Sequence, residues 1–202
     1  MKKNKIKKTK DKKGNNNFID NYKKCWNFLK ESKNFFYLSI IIFIGFIIIG
    51  FIFPYFFEDL IKKYLEQLLL KIQGKNIIQL TSFIFFNNLK ASLFSLVFGI
   101  FFGIFPIIIL ISNGYFAGVV FRKAVSQAGL GIMWRVLPHG IFEIPAFIIS
   151  ASLGIKIGFE IFKKGRKFKK NIKEAFRFFV LVIIPLLIIA AIIEGSLIYF
   201  IK

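Results

Sequence analysis

Polar and apolar positions fall along this chain in long blocks rather than at strand spacing. From Phe35 to Phe57 there are 23 residues without a charge. As a helix at about 1.5 Å per residue they would span about 34 Å, enough to cross a bilayer core of about 30 Å. Over residues 57–73 the pattern becomes amphipathic: Phe57, Leu60, Ile61, Tyr64, Leu65, Leu68, Leu69 and Ile72 share one helix face, and Glu58, Asp59, Lys62, Lys63, Glu66 and Lys71 share the other. An interfacial helix follows, closed by Gly74. The next apolar run, Phe83 to Phe121, would approach about 60 Å as one helix and must fold back. Gly103 to Pro106 is the expected turn, because proline is tolerated at the start of a helix. The predicted spans are 35–57, 84–104, 106–122, 138–162 and 177–200, the last interrupted by Pro185. The fold class is all-α, a polytopic transmembrane helix bundle with amphipathic interfacial helices.

Composition agrees with this pattern, since 56% of the residues are hydrophobic and 29 are phenylalanine, more apolar surface than a soluble core of this size buries. Charge decides the orientation. Of 30 basic residues, twelve lie in residues 1–33 and eight in residues 163–177. Two blocks flanking apolar spans follow the positive-inside rule and are unlike a nucleic-acid groove, so no nucleic-acid partner is expected. Five spans then place the N-terminus in the cytoplasm, the block 163–177 on the same side, and the C-terminus outside a cell membrane. Residues 1–33 form a basic tail, expected to be disordered over 1–17 for want of apolar content. From residue 18 a short amphipathic helix is predicted, with Phe18, Tyr22, Trp26 and Leu29 beside Lys23, Lys24 and Lys30, lying on an anionic inner leaflet. Residues 34–202 are the bundle. Cys25 is the single cysteine and has no partner for an intramolecular disulfide.

Two stripes of small residues repeat every four positions: Ala91, Ser95, Gly99 and Gly103, then Ala146, Ser150, Gly154 and Gly158. Such stripes let helix backbones approach closely, and Gly114 with Gly118 adds a shorter seam. The stretch Pro138-His139-Gly140-Ile141-Phe142-Glu143-Ile144-Pro145 holds the single histidine one turn from a carboxylate within an apolar run. Ionisable groups at such depth are functional candidates. Asn87, Asn88, Arg122, Arg135 and Glu194 are placed by depth in the same outer half, and Asn113 is counted with Asn88, His139, Glu143 and Glu194 as a polar cluster, while Lys156 is expected to snorkel inward beside Glu160. Three readings of His139 and Glu143 stay open: a polar network stapling a kinked helix to its neighbours, an ion or substrate path, or a metal site. The first is the plainest, and we take no residue as catalytic, cofactor-binding or metal-binding. No cofactor is expected.

The series Asn88, Gly99, Asn113-Gly114, Gly118, Pro138-His139-Gly140-Ile141-Phe142-Glu143 and Gly154-Ile155-Lys156-Ile157-Gly158 resembles the stage II sporulation protein M family over about residues 80–162. The resemblance implies a polytopic membrane protein. The member in sporulating bacteria holds a wall-degrading complex at the membrane and is not itself a hydrolase. The expected function is therefore a non-enzymatic membrane scaffold that recruits protein partners, with homo-oligomers possible. A transport or channel subunit working through the cluster around His139 and Glu143 is the alternative.

Overall fold

A computed structural model describes residues 19–129, 131, 133–161 and 167–200, with the side chains of these apart from 128, 133–137, 139 and 167. Every element among them is helical. Helix α1 covers 19–31, followed by α2 (Lys33–Ile52), α3 (Glu58–Ile72), α4 (Ile77–Val97), a 3-10 turn (Phe98–Ile100), α5 (Ile104–Ala128), α6 (Met133–Ile161), α7 (Lys167–Phe178), a π turn (Phe179–Ile183) and α8 (Ile184–Phe200). Five stretches are long and apolar enough to cross a membrane: Lys33–Ile52, Ile77–Ile100, Ile104–Gln127, Gly140–Ile161 and Phe168–Phe200. The chain is a multi-pass membrane protein by its helix composition. The expected disorder of residues 1–17 and most of the basic run before Lys167 lie outside the described residues.

Several boundaries differ from expectation, each for a local reason. Helix α2 stops at Ile52 rather than 57, because Pro54 disfavours helical backbone at Phe53. The second span starts at Ile77 rather than 84. Asn76 accepts from the Gln79 backbone N–H at 2.9 Å while the Gln79 side chain accepts from the Asn76 N–H at 3.2 Å, a capping box that offsets two unpaired donors. The chain reverses at Phe102 and Gly103, both with positive φ, so Pro106 falls in the first turn of α5 and leaves no donor missing. Helix α5 runs six residues beyond the predicted end at 122. Helix α6 begins at Met133 and passes through Pro138, where a helix start was predicted.

Pro185 does not interrupt the last span. It cannot donate to the Leu181 carbonyl, and the helix widens just ahead of it into a π turn, where the Ile184 N–H reaches back to Phe179. The Leu181 carbonyl instead accepts from the Tyr22 hydroxyl of α1 at 3.3 Å. The basic N-terminal helix is therefore docked on the bundle. Its buried face is Cys25 and Phe28, in one apolar cluster with Ala175, Phe178 and Phe179; of the predicted apolar face, Leu29 packs on that cluster while Tyr22 and Trp26 are exposed. Burial pushes the Cys25 thiol above its usual pKa, outweighing the downward pull of Arg177. Helix α3 rests on α5 through Ile61, Tyr115 and Val119, and Tyr64 meets Phe116 edge-on with ring centroids 5.3 Å apart.

The two small-residue stripes meet each other. A Cβ added at Gly99 would strike the Gly154 carbonyl, one at Gly154 the Ser95 carbonyl, and one at Gly158 the backbone of Gly103. The Ser150 hydroxyl donates to the Ser92 carbonyl at 2.7 Å along the same line. Ala146 is fully buried and Ala91 partly so. A second seam joins α5 to α2, where a Cβ at Gly114 would lie 2.7 Å from the Phe43 carbonyl and one at Gly118 would strike that of Ile47. Gly50 on α2 answers it against Tyr115, and Gly195 on α8 admits Thr81 of α4. Neither glycine belongs to a repeat, so spacing could not single them out.

Because backbone cannot retreat as a flexible side chain can, Gly154→Ala should cost about 1–3 kcal/mol by overpacking. Gly45→Ala should leave stability unchanged or slightly raised, since an added Cβ there meets nothing within 4 Å. Thermal unfolding of the two variants in detergent checks this, and equal losses would rule out the close contact as the cause.

Candidate functional site

Helices α4, α6 and α8 bring together three of the five predicted polar residues. The Asn88 amide donates a hydrogen bond to the Glu143 carboxylate. Glu143 stands near enough for its charge to act on Glu194. This juxtaposition follows from the seams: the Gly99–Gly154 contact sets α6 against α4 in a register that puts Glu143 level with Asn88, and the Gly195–Thr81 contact holds the C-terminal end of α8 against the first turns of α4. Asn88 is eleven residues into the span that begins at Ile77, about 16 Å at about 1.5 Å per residue, and Glu143 is three residues into the span that begins at Gly140. Asn88 is thus deeper than the outer-end position predicted, because its span starts at Ile77 rather than 84. Two carboxyl groups and an amide can hold a hydrogen-bond network or engage a cation. Among the described residues no three His, Cys, Asp or Glu side chains gather as a metal site.

The other candidates are placed elsewhere. The His139 side chain and that of Arg135 lie outside the described residues. Asn113 is exposed on α5, its amide donating to the Ile109 carbonyl one turn back at 2.8 Å, and it does not join Glu143. Arg122 serves α2 rather than the carboxylates: its Nη1 donates to the Phe51 and Ile52 carbonyls at 2.8 and 3.1 Å, a cation closing the negative end of a helix. The Tyr115 hydroxyl donates to the Phe53 carbonyl at 2.7 Å beside it. Lys156 does not snorkel. It is 5% exposed, with Nζ donating to the Ser32 hydroxyl at 2.9 Å and lying 4.0 Å from the Phe28 ring centroid. This contact ties the α1–α2 junction to α6.

One residue that the sequence pattern did not bring forward, Lys90, stands out on α4 beside Asn87, which it did. Lys90 is exposed near the middle of the span Ile77–Ile100, and exposed Asn87 lies one turn before it. Periodicity alone could have marked Lys90, since Ser95 and Gly99 fix the buried face and Lys90 falls opposite it.

A double-mutant cycle tests the Asn88–Glu143 bond. Glu143→Ala leaves the Asn88 amide unpaired and should cost about 1–3 kcal/mol in thermal unfolding, with Glu143→Gln milder. Asn88→Ala combined with Glu143→Ala should cost less than the two separate losses together, and strict additivity would show that the two groups do not interact.

Comparison with known proteins agrees with this architecture. The chain is 31% identical over 144 residues to uncharacterized protein MJ0706 of Methanocaldococcus jannaschii, a match covering 67% of this chain and 63% of that protein. It is 37% identical over 115 residues to uncharacterized protein MJ0793 of the same organism, covering 54% of this chain and 65% of that one. The chain thus spans somewhat less than two thirds of the length of each. No solved structure matches it. Residues 39–197 match stage II sporulation protein M, a stretch that takes in all three members of the polar group and both glycine seams. The chain belongs to the stage II sporulation protein M family.

Proposed function

We propose that this chain is a non-enzymatic scaffold of the cell membrane that recruits and positions partner proteins, with its N-terminus cytoplasmic and its C-terminus outside. The observation that carries this reading is the backbone contact of α4 with α6 along Ser95, Gly99, Gly103, Gly154 and Gly158. Contact of that kind makes a rigid frame, and the freedom to engage other molecules lies on its outer surfaces. At one end, α1 turns Tyr22, Lys23 and Trp26 outward, with Lys30 Nζ 5.4 Å from the Trp26 ring centroid, and α7 exposes Lys169, Lys170 and Lys173. These cations suit an anionic inner leaflet. At the other end, α3 exposes Leu60, Tyr64, Leu69 and Leu70. The membership of the family supports a membrane role of this class.

The Asn88, Glu143 and Glu194 group favours a second reading, a subunit of a transporter or channel. Purified protein in liposomes separates the two. Ion movement that Glu143→Gln abolishes, with the fold intact, would replace the scaffold reading. Partner proteins recovered with the chain in mild detergent, with no flux, are the outcome expected.

Topology is tested with an impermeant thiol reagent in a Cys25→Ser background, since the native cysteine is buried and labels poorly from either side. Lys71→Cys and Lys202→Cys should label in sealed cells. Lys170→Cys should label only after permeabilisation, and its labelling in sealed cells would overturn the orientation.

A further inference from the structure

We infer that Lys90 and Asn87, on the outward face of α4, form a docking site for a membrane-spanning helix of another protein that carries a carboxylate in mid-span. Lys90 lies thirteen residues after Ile77 and ten before Ile100, the ends of its span. At about 1.5 Å per residue it is about 20 Å from one end and about 15 Å from the other, beyond what snorkelling covers. A charge at this depth is among the costliest residues a span carries, and such residues pair with another group or line a watery cavity. Lys90 has no such partner among the described residues. It is exposed, and among the described residues neither it nor Asn87 has a hydrogen bond, ion pair or ring contact.

Its surroundings suit a helix. Ile78, Ser82, Phe86, Lys90, Phe94 and Phe98 form one exposed line at four-residue steps, with Phe86 55% and Phe94 50% exposed one turn to either side of the lysine. The aromatic rings supply apolar contact that keeps a central polar bond dry, as surrounding contacts do at interface hot spots. An ammonium has three donors and no acceptor, so its complement is an anion, and the adjacent Asn87 amide can donate to the same carboxylate.

A second copy of this chain fits less well. Its intramembrane carboxylates are Glu143, bonded to Asn88 on the opposite face of α4, and Glu194, set beside Glu143. The other acidic side chains among the described residues lie toward span ends or on α1, α3 and α7. The occupant is therefore a different protein. The site deepens the scaffold reading and rests on it only for the existence of a partner.

The test uses the full chain in phosphatidylcholine liposomes with a synthetic lysine-flanked polyleucine helix bearing one central aspartate, against the same peptide with leucine there, followed by energy transfer. The aspartate peptide should bind about 10-fold tighter or better. That preference should vanish in Lys90→Leu and persist in Lys90→Arg. Lys90→Glu should reverse it, favouring a central-lysine peptide. Because Lys90 is exposed, the thermal unfolding of all three variants should match the wild type. Equal binding of the two peptides, or a preference unchanged in Lys90→Leu, overturns the inference. So does self-association of the chain that depends on Lys90 without peptide binding. Native partners that co-purify equally with Lys90→Leu would sink the docking site and leave the scaffold reading standing, whereas aspartate-peptide binding with no native partner would do the opposite.

Discussion

The backbone contact between α4 and α6 sets the rest of the bundle. In lipid, apolar side chains gain little by meeting each other, so helices associate through close packing and short polar bonds. Glycine at 99, 103, 154 and 158 removes the side chains that would hold the two backbones apart. That approach fixes the register, and the register alone decides that Asn88 meets Glu143 and that Lys90 is left outside. The remaining helices take their places around this pair, with α8 meeting both α4 and α6 and α5 braced on α2.

Magnitudes separate what holds the fold from what is free to serve another purpose. An interhelical hydrogen bond in a membrane contributes on average about 0.6 kcal/mol, because the separated helices also find partners. Overpacking a single glycine contact costs about 1–3 kcal/mol, and the two seams contain several such contacts. The Asn88–Glu143 bond is thus a small part of the stability. Carboxyl groups inside a span are costly to place, which is why the group remains a functional candidate even within a scaffold.

Much of this was legible in the sequence. The spans, the fold-back near Gly103 and the two four-residue stripes are periodic signals, and periodicity survives without knowledge of tertiary contacts. Single residues were not legible in the same way. Gly50 and Gly195 work because of what a distant helix places against them. Asn113 and Asn88 look alike as intramembrane amides, yet one faces out and the other faces a carboxylate. Lys156 was expected to reach for water, but Ser32 and Phe28 from the α1–α2 junction enclose it, a contact across 124 residues. Helix ends were shifted by capping at Asn76, by Pro54, which ends α2 early, and by Pro138, which α6 absorbs and runs through.

Pro185 shows how such absorption ties the termini together. A proline within a span frees one carbonyl, and in lipid that carbonyl needs a donor from protein. The donor is Tyr22, from the first described helix, at a separation of 159 residues. Cys25 and Phe28 add apolar contact beneath it, and Lys156 closes the junction on the far side. A basic amphipathic helix that could have lain free on the leaflet is thereby held to one orientation, with its cations turned away from the bundle. Inside the bundle, polar groups mostly find partners within the chain, and those that stay unpaired, such as the Ser39, Ser92 and Ser95 hydroxyls, are neutral and shielded from lipid by packing. A full charge turned outward at mid-span, as at Lys90, has neither protection, and it is on this contrast that the proposed docking site rests.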